Sequence, residues 1–109
     1  MEMMLTEKNH LRERISKIIR QKDPNAEAYL FGSRARGDSG PDSDWDVLIL
    51  VDESTITNVI EDKFRDGLYD LELDSGQVIS IFVHPKKDWN DMKDFSPLHK
   101  NVSKEGIRL

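Results

Sequence analysis

Apolar residues recur along the chain with two different periods. Stripes with intervals of three and four residues predict helices over residues 6–22 and 54–74. Short apolar runs predict strands over residues 26–31, 43–51 and 77–83. Helical and strand periods therefore alternate along the first three quarters of the sequence, which is typical of a sheet covered by helices.

Shorter elements are predicted between and after these segments. Glycines mark residues 32–40 as a turn, with room for one helical turn at residues 33–36. Towards the C-terminus, the pattern predicts short helices over residues 85–92 and 97–102 and an edge strand at residues 107–109.

The order of the elements predicts the fold class. Residues 47–51 are all apolar, so their strand is predicted to be central and covered on both faces. The whole set predicts an α/β fold of the α+β type, with a small mixed sheet covered by helices. A length of 109 residues without an evident linker predicts a single domain spanning residues 1–109.

Charge and composition exclude several classes of function. The net charge is −5, with +3 in residues 1–36 and −8 in the remainder. Such an acidic chain is a poor candidate for sequence-independent DNA binding, which depends on neutralising phosphates. No apolar run approaches the roughly 20 residues of a membrane span, and no signal peptide is evident, so a cytoplasmic location is expected. The absence of cysteine excludes disulfides and thiolate metal sites.

Two carboxylates at the start of the central strand call for an explanation. Asp44 and Asp46 are two residues apart, so their side chains point to the same face and repel each other. Aspartate is also a poor strand former. Carboxylate oxygens are ligands that Mg²⁺ prefers, together with substrate phosphates. The pair therefore predicts a divalent cation site.

The preceding turn carries residues suited to phosphate. Gly32 lets the backbone approach a ligand closely, and the Ser33 hydroxyl and the next N–H groups can donate to phosphate oxygens. Arg34 and Arg36 lie beside them and could pair with phosphate. Ordinary turn and loop roles are the alternative for each residue taken alone, but the combination with Asp-x-Asp favours a nucleotide site.

The stretch GSRARGDSGPDSDWDVLILV resembles the signature of nucleotidyltransferases of the DNA polymerase beta superfamily, in its minimal bacterial and archaeal form. The resemblance implies a mixed-sheet core and Mg²⁺-dependent transfer of a nucleoside monophosphate, with ATP the usual donor. It implies that Gly32 and Ser33 contact the triphosphate and that Asp44 and Asp46 hold the metal. It also implies a partner, either a small helical nucleotide-binding-domain protein, as in toxin–antitoxin pairs, or a second copy.

The sequence departs from that family pattern in two places. Trp45 stands between the aspartates where an aliphatic residue is usual, and it should affect packing more than chemistry. Active members also carry an acid on a later strand, but here Ser80 occupies that place in QVISIFV. His84, at the end of the same strand, is a weaker candidate for a general base.

Three functions are thus open at the level of sequence. The first is an enzyme that moves AMP from ATP to a hydroxyl acceptor and releases pyrophosphate. The second is a nucleotide-binding module without turnover, which regulates a helical partner in the manner of an antitoxin; the missing strand acid favours it. The third, an adaptor without a ligand, leaves Asp44 and Asp46 unexplained.

Overall fold

The computed structural model describes the backbone of residues 2–109 and the side chains of residues 10–109. Its helices are α1 (Glu2–Lys22), α2 (Ser33–Arg36), α3 (Asn58–Ser75), α4 (Lys86–Trp89) and α5 (Pro97–Glu105), with a 3₁₀ turn at Asn90–Met92. Its strands are β1 (Glu27–Phe31), β2 (Trp45–Val51), β3 (Ile79–Pro85) and β4 (Ile107–Arg108). None of these helices has the length and apolarity that crossing a membrane would require.

The four strands form one mixed sheet in the order β3-β2-β1-β4. β1 pairs antiparallel with both β2 and β4, and β2 pairs parallel with β3. The parallel pair is connected through α3, as a crossover between parallel strands requires. The fold therefore has the predicted architecture of a small mixed sheet covered by helices.

β2 is buried on both faces, as its unbroken apolar sequence predicts. Val47, Ile49 and Val51 face α1 and α3, where they pack with residues such as Phe64. Leu48 and Leu50 face the opposite side, where they pack with Phe31 and Val102, the latter from α5. On this second face the sheet is less covered at β3, where Phe82 is 39% exposed beside Phe31, and the candidate site lies at the start of β2 on the same face.

Several elements begin or end at other residues than the sequence predicts; among them, α1 begins at Glu2 rather than at residue 6, and β3 spans Ile79–Pro85 rather than residues 77–83. β2 begins at Trp45, so Asp44 precedes the ladder. α3 begins at Asn58, where the side chain of Thr57 accepts the Ile60 N–H. α5 continues to Glu105, three residues beyond its predicted end, because the Gly106 N–H still bonds to a carbonyl of the last turn.

Val59 belongs to the apolar pattern that predicts the helix over residues 54–74, but 79% of its surface is exposed. At about 100° per residue, Val59 lies half a turn away from Leu68, which is buried against the sheet. The stripe that faces the core in α3 consists of Phe64, Leu68 and Leu71. The apolar residues of α3 are spread over more than one face of the helix, so Val59 remains exposed to solvent.

Candidate active site

Gly32 joins β1 to α2 and lies against a carboxylate of the neighbouring strand. Its φ of +77° and ψ of −161° belong to a region that is essentially restricted to glycine. A methyl group on its Cα would overlap Asp46 Oδ2. The absence of a side chain at Gly32 therefore serves both the turn and the close approach of Asp46.

α2 is a single helical turn that opens beside this carboxylate. The N–H groups of Ala35 and Arg36 both donate to the Gly32 carbonyl at 3.0 Å. The N–H groups of Ser33 and Arg34 precede the first bonded N–H groups of the helix. N–H groups at this position have no acceptor within a helix and can donate to a ligand. Gly37, with a φ of +86°, ends the turn and donates to the Ser33 carbonyl.

Asp44 and Asp46 lie at the start of β2, on the face opposite Trp45. Asp46 sits between β1 and β3, in register with Phe31 on one side and Ser80 on the other. The Ser80 hydroxyl donates to Asp44 Oδ2 at 3.4 Å. The structure thus brings together Gly32, the start of α2 and the two aspartates.

The surroundings of Asp46 favour its neutral form. Burial raises the pKa of Asp46, and the charge of Asp44 raises this pKa further. The Arg36 guanidinium acts in the opposite direction, and Glu105 adds to the effect of Asp44 on the Asp46 pKa. A cation bound between the aspartates would relieve this repulsion, which is the physical case for a metal here.

The donor set fits a hard cation that also binds substrate. Asp44 and Asp46 supply carboxylate oxygens, and Mg²⁺ commonly takes one or two of these together with phosphates and water. Within the described residues, no group of three or more His, Asp or Glu side chains is arranged to hold a metal by itself. The set is therefore suited to a metal that arrives with a phosphate ligand rather than to a closed structural site.

Arg34 does not join this group, contrary to the expectation from sequence. Its guanidinium is buried and donates to the Ser43 carbonyl at 3.2 and 2.9 Å and to Gln77 Oε1 at 2.9 Å. It also lies over the Trp45 ring, 4.9 Å from the ring centre. These contacts fix the connection between α2 and β2, so its predicted contact with phosphate stays a prediction without geometric support.

Arg36 remains near the aspartates and is paired with two acidic residues. Its Nη1 is 2.9 Å from Glu105 Oε2, and its Nε is 3.1 Å from Asp38 Oδ2. Sequence reasoning missed Glu105, because the predicted end of the last helix placed it outside any element. The carboxylate comes from α5, at the other end of the chain.

The candidate general base also lies elsewhere. His84 is in register with Leu50, four residues along the strands from the Ser80 and Asp46 pair. Four residues of strand separate backbone positions by about 13 Å. The His84 ring instead lies beside the Trp89 ring, with 6.1 Å between the ring centres. His84 is therefore too far along the strand to act as a general base at Asp46.

The fold occurs in solved structures of related architecture. A toxin-antitoxin structure with AMP-PNP superposes with a TM-score of 0.62 at 20% identity, over 88% of this chain and 69% of that one. A variant of the toxin-antitoxin MntA-HpeT superposes with a TM-score of 0.61 at 21% identity, over 90% of this chain and 70% of that one. A Sulfolobus solfataricus protein described as a "putative nucleotidyltransferase" superposes with a TM-score of 0.52 at 24% identity, over 91% of this chain and 76% of that one. These likenesses establish a shared fold.

Similarity of sequence establishes the family. The pattern of the nucleotidyltransferase domain matches residues 12–108. A Methanocaldococcus jannaschii protein named "Putative protein adenylyltransferase" is 37% identical over 99 residues, which cover 91% of this chain and 82% of that one. Because both matches extend over most of its length, the chain belongs to the nucleotidyltransferase domain family.

Proposed function

We propose that this chain binds a nucleoside triphosphate with Mg²⁺ and transfers the nucleoside monophosphate, AMP from ATP, to a hydroxyl acceptor with release of pyrophosphate. One observation carries the proposal: the Gly32 Cα lies directly against the Asp46 carboxylate. A phosphate held at the start of α2 would therefore reach a metal held by Asp46 without any rearrangement of the sheet.

Each residue of the site has a proposed role. Asp44 and Asp46 would hold the metal, which supplies charge neutralisation at the phosphates and orientation of the transferred group. Gly32 provides the open approach, and the Ser33 hydroxyl and N–H would donate to phosphate oxygens. Arg36 offers a positive charge on the same side of the sheet, where the Asp46 pKa already responds to it.

The acceptor is proposed to come from another molecule. The face of the sheet beside Phe82 is partly open, with 39% of that side chain exposed next to Phe31. A small helical nucleotide-binding-domain protein or a second copy of the chain could present a hydroxyl there. The toxin-antitoxin structures that share the fold support a protein partner.

A second function is favoured by the residue in register with Asp46. On β3 this residue is Ser80, where the family resemblance leads one to expect an acid, and the other residues of β3 are not acidic. A serine hydroxyl neither carries a negative charge nor readily takes a proton at neutral pH. The alternative is therefore a module that binds nucleotide and regulates its partner without turnover.

Pyrophosphate release from ATP and Mg²⁺ distinguishes the two functions. The measurement uses the full chain alone and with any protein that co-purifies with it. The transferase predicts release that Asp46→Asn abolishes and that Asp70→Asn, a matched change at an exposed position on α3, leaves intact. ATP binding without release in either preparation would support the regulatory module, and full activity of Asp46→Asn would refute the metal assignment.

A further inference from the structure

The last residue of α5 is held rigidly at the edge of the candidate site. α5 begins where the Ser96 side chain accepts the His99 N–H at 3.2 Å, and it ends where the Gly106 N–H donates to the Val102 carbonyl at 2.7 Å. The next residue, Ile107, is already in register with Leu30 of β1. Glu105 is therefore fixed from both sides, by a helix and by a strand.

The Glu105 carboxylate has little access to water and depends on a partner. Only 14% of its side chain is exposed, against 48% for Arg36, which donates to it at 2.9 Å. A carboxylate that is this dry requires a counter-charge. Arg36 supplies it, and the same guanidinium also binds Asp38 through Nε.

This ion pair lies close to the carboxylate proposed to hold the metal. The Arg36 N–H donates to the Gly32 carbonyl at 3.0 Å, and Gly32 lies directly against Asp46. Arg36 is also the last residue of α2, one turn from the N–H groups proposed to meet phosphate. A triphosphate at α2 would thus compete with Glu105 for a single guanidinium.

We propose that Glu105 holds the Arg36 guanidinium at the edge of the candidate site and gives it up to the incoming triphosphate, so that Glu105 limits the affinity for nucleotide. The inference rests on the proposed function, because it concerns the same site, and it assigns a role to a residue outside the family signature. While the site is free of nucleotide, Arg36 stays aligned by Glu105. When nucleotide binds, the Arg36 guanidinium leaves the Glu105 carboxylate and donates to phosphate oxygens. The loss of the Arg36–Glu105 ion pair lowers the net affinity for nucleotide.

The test is the affinity for α,β-methylene-ATP with Mg²⁺, measured by calorimetry, because this analogue cannot transfer its nucleotide. Glu105→Gln removes the competing charge and keeps the size of the side chain. It is expected to tighten binding about two- to fivefold, the range of an ion pair whose arginine is still half-exposed to water. Glu61→Gln, which breaks the pair with Arg65 on α3, is the matched control and is expected to leave affinity unchanged.

A double-mutant cycle separates the exchange from a general effect of charge. Arg36→Gln should weaken binding, and in that background Glu105→Gln should bring no further gain. If Glu105→Gln tightens binding equally with and without Arg36, the effect is loss of repulsion and the inference is overturned. Glu105→Ala repeats the test should the amide oxygen of glutamine still hold Arg36.

The remaining outcomes distinguish this inference from the function on which it rests. Wild-type binding that Glu105→Gln leaves unchanged, as in the Glu61→Gln control, overturns the role of Glu105 and preserves the nucleotide site. Failure of every variant and of the wild type to bind the analogue overturns both.

Discussion

Replacing Gly32 with alanine tests how tightly the turn and the carboxylate are joined. The substitution adds one methyl group at a residue with a φ of +77° and a ψ of −161°. That group would overlap Asp46 Oδ2, so the backbone and the Asp46 side chain must both adjust. We expect a loss of stability from two separable causes.

The two causes can be given magnitudes. A non-glycine residue in this region of φ and ψ costs about 1–3 kcal/mol. Displacement of the half-buried Asp46 carboxylate adds about 1 kcal/mol, the low end of the cost of overpacking. Alanine also restricts the unfolded chain, which offsets about 0.4–1 kcal/mol. The net loss is about 2 kcal/mol, or about 10 °C in Tm for a domain of this size.

Thermal unfolding of four variants provides the measurement. Gly37→Ala is the matched control, because Gly37 also has a positive φ, of +86°, but no atom lies near the added methyl. Its loss should be smaller than that of Gly32→Ala. Asp46→Ala and the double variant Gly32→Ala/Asp46→Ala complete a cycle in which the overlap is absent and only the backbone strain remains.

Two results would contradict a close contact between Gly32 and Asp46. If Gly32→Ala lowers Tm no more than Gly37→Ala does, Gly32 is not in close contact with the carboxylate. An identical loss in the wild-type and Asp46→Ala backgrounds would likewise show that Asp46 is not the obstacle. Either result would remove the observation on which the nucleotide site rests.

Three other changes have expected outcomes. Asp46→Asn should stabilise the chain at neutral pH, because folding raises the pKa of Asp46 and the stability that this carboxyl contributes at low pH is lost as the pH rises. Urea unfolding at several pH values checks this: the difference in unfolding free energy between variant and wild type should shrink below the ordinary aspartate pKa of about 4. Arg34→Lys should cost about 2–4 kcal/mol in the same assay, because one ammonium cannot replace the planar bonds to Ser43 and Gln77, and a loss confined to nucleotide affinity would contradict this. Ser80→Asp should lower the Tm of the metal-free chain by crowding three carboxylates, and added Mg²⁺ should restore it; an unchanged Tm would place Ser80 away from the aspartates.

The sequence predicted the sheet and its central strand because these follow from local patterns. The unbroken apolar run of residues 47–51 requires cover on both faces, and β2 has it. Asp44 and Asp46 were singled out because two neighbouring aspartates on one face are unfavourable in a strand, and Gly32 because a glycine after a strand lets a ligand approach the backbone. The structure brings these three together, at the end of β1 and the start of β2.

The side chains that surround them were beyond sequence reasoning. Arg34 and Arg36 look equivalent in the motif. In the structure, Arg34 lies over the Trp45 ring, whereas Arg36 pairs with Glu105. The difference arises from the path of α2, a single turn in which neighbouring positions point in different directions. Glu105 is 59 positions after Asp46, and only the packing of α5 and the return of β4 to β1 brings it close.

The most direct test of the central claim is thermal unfolding of the wild type and of the Asp44→Asn/Asp46→Asn variant with Mg²⁺, with ATP and with both. A ligand that binds only the folded state stabilises it by about 2.7 kcal/mol at a hundredfold excess over Kd. We expect a rise in Tm that needs ATP and Mg²⁺ together and that the variant lacks. An equal rise in the variant, or no rise in the wild type, would contradict a metal-dependent nucleotide site at these two aspartates.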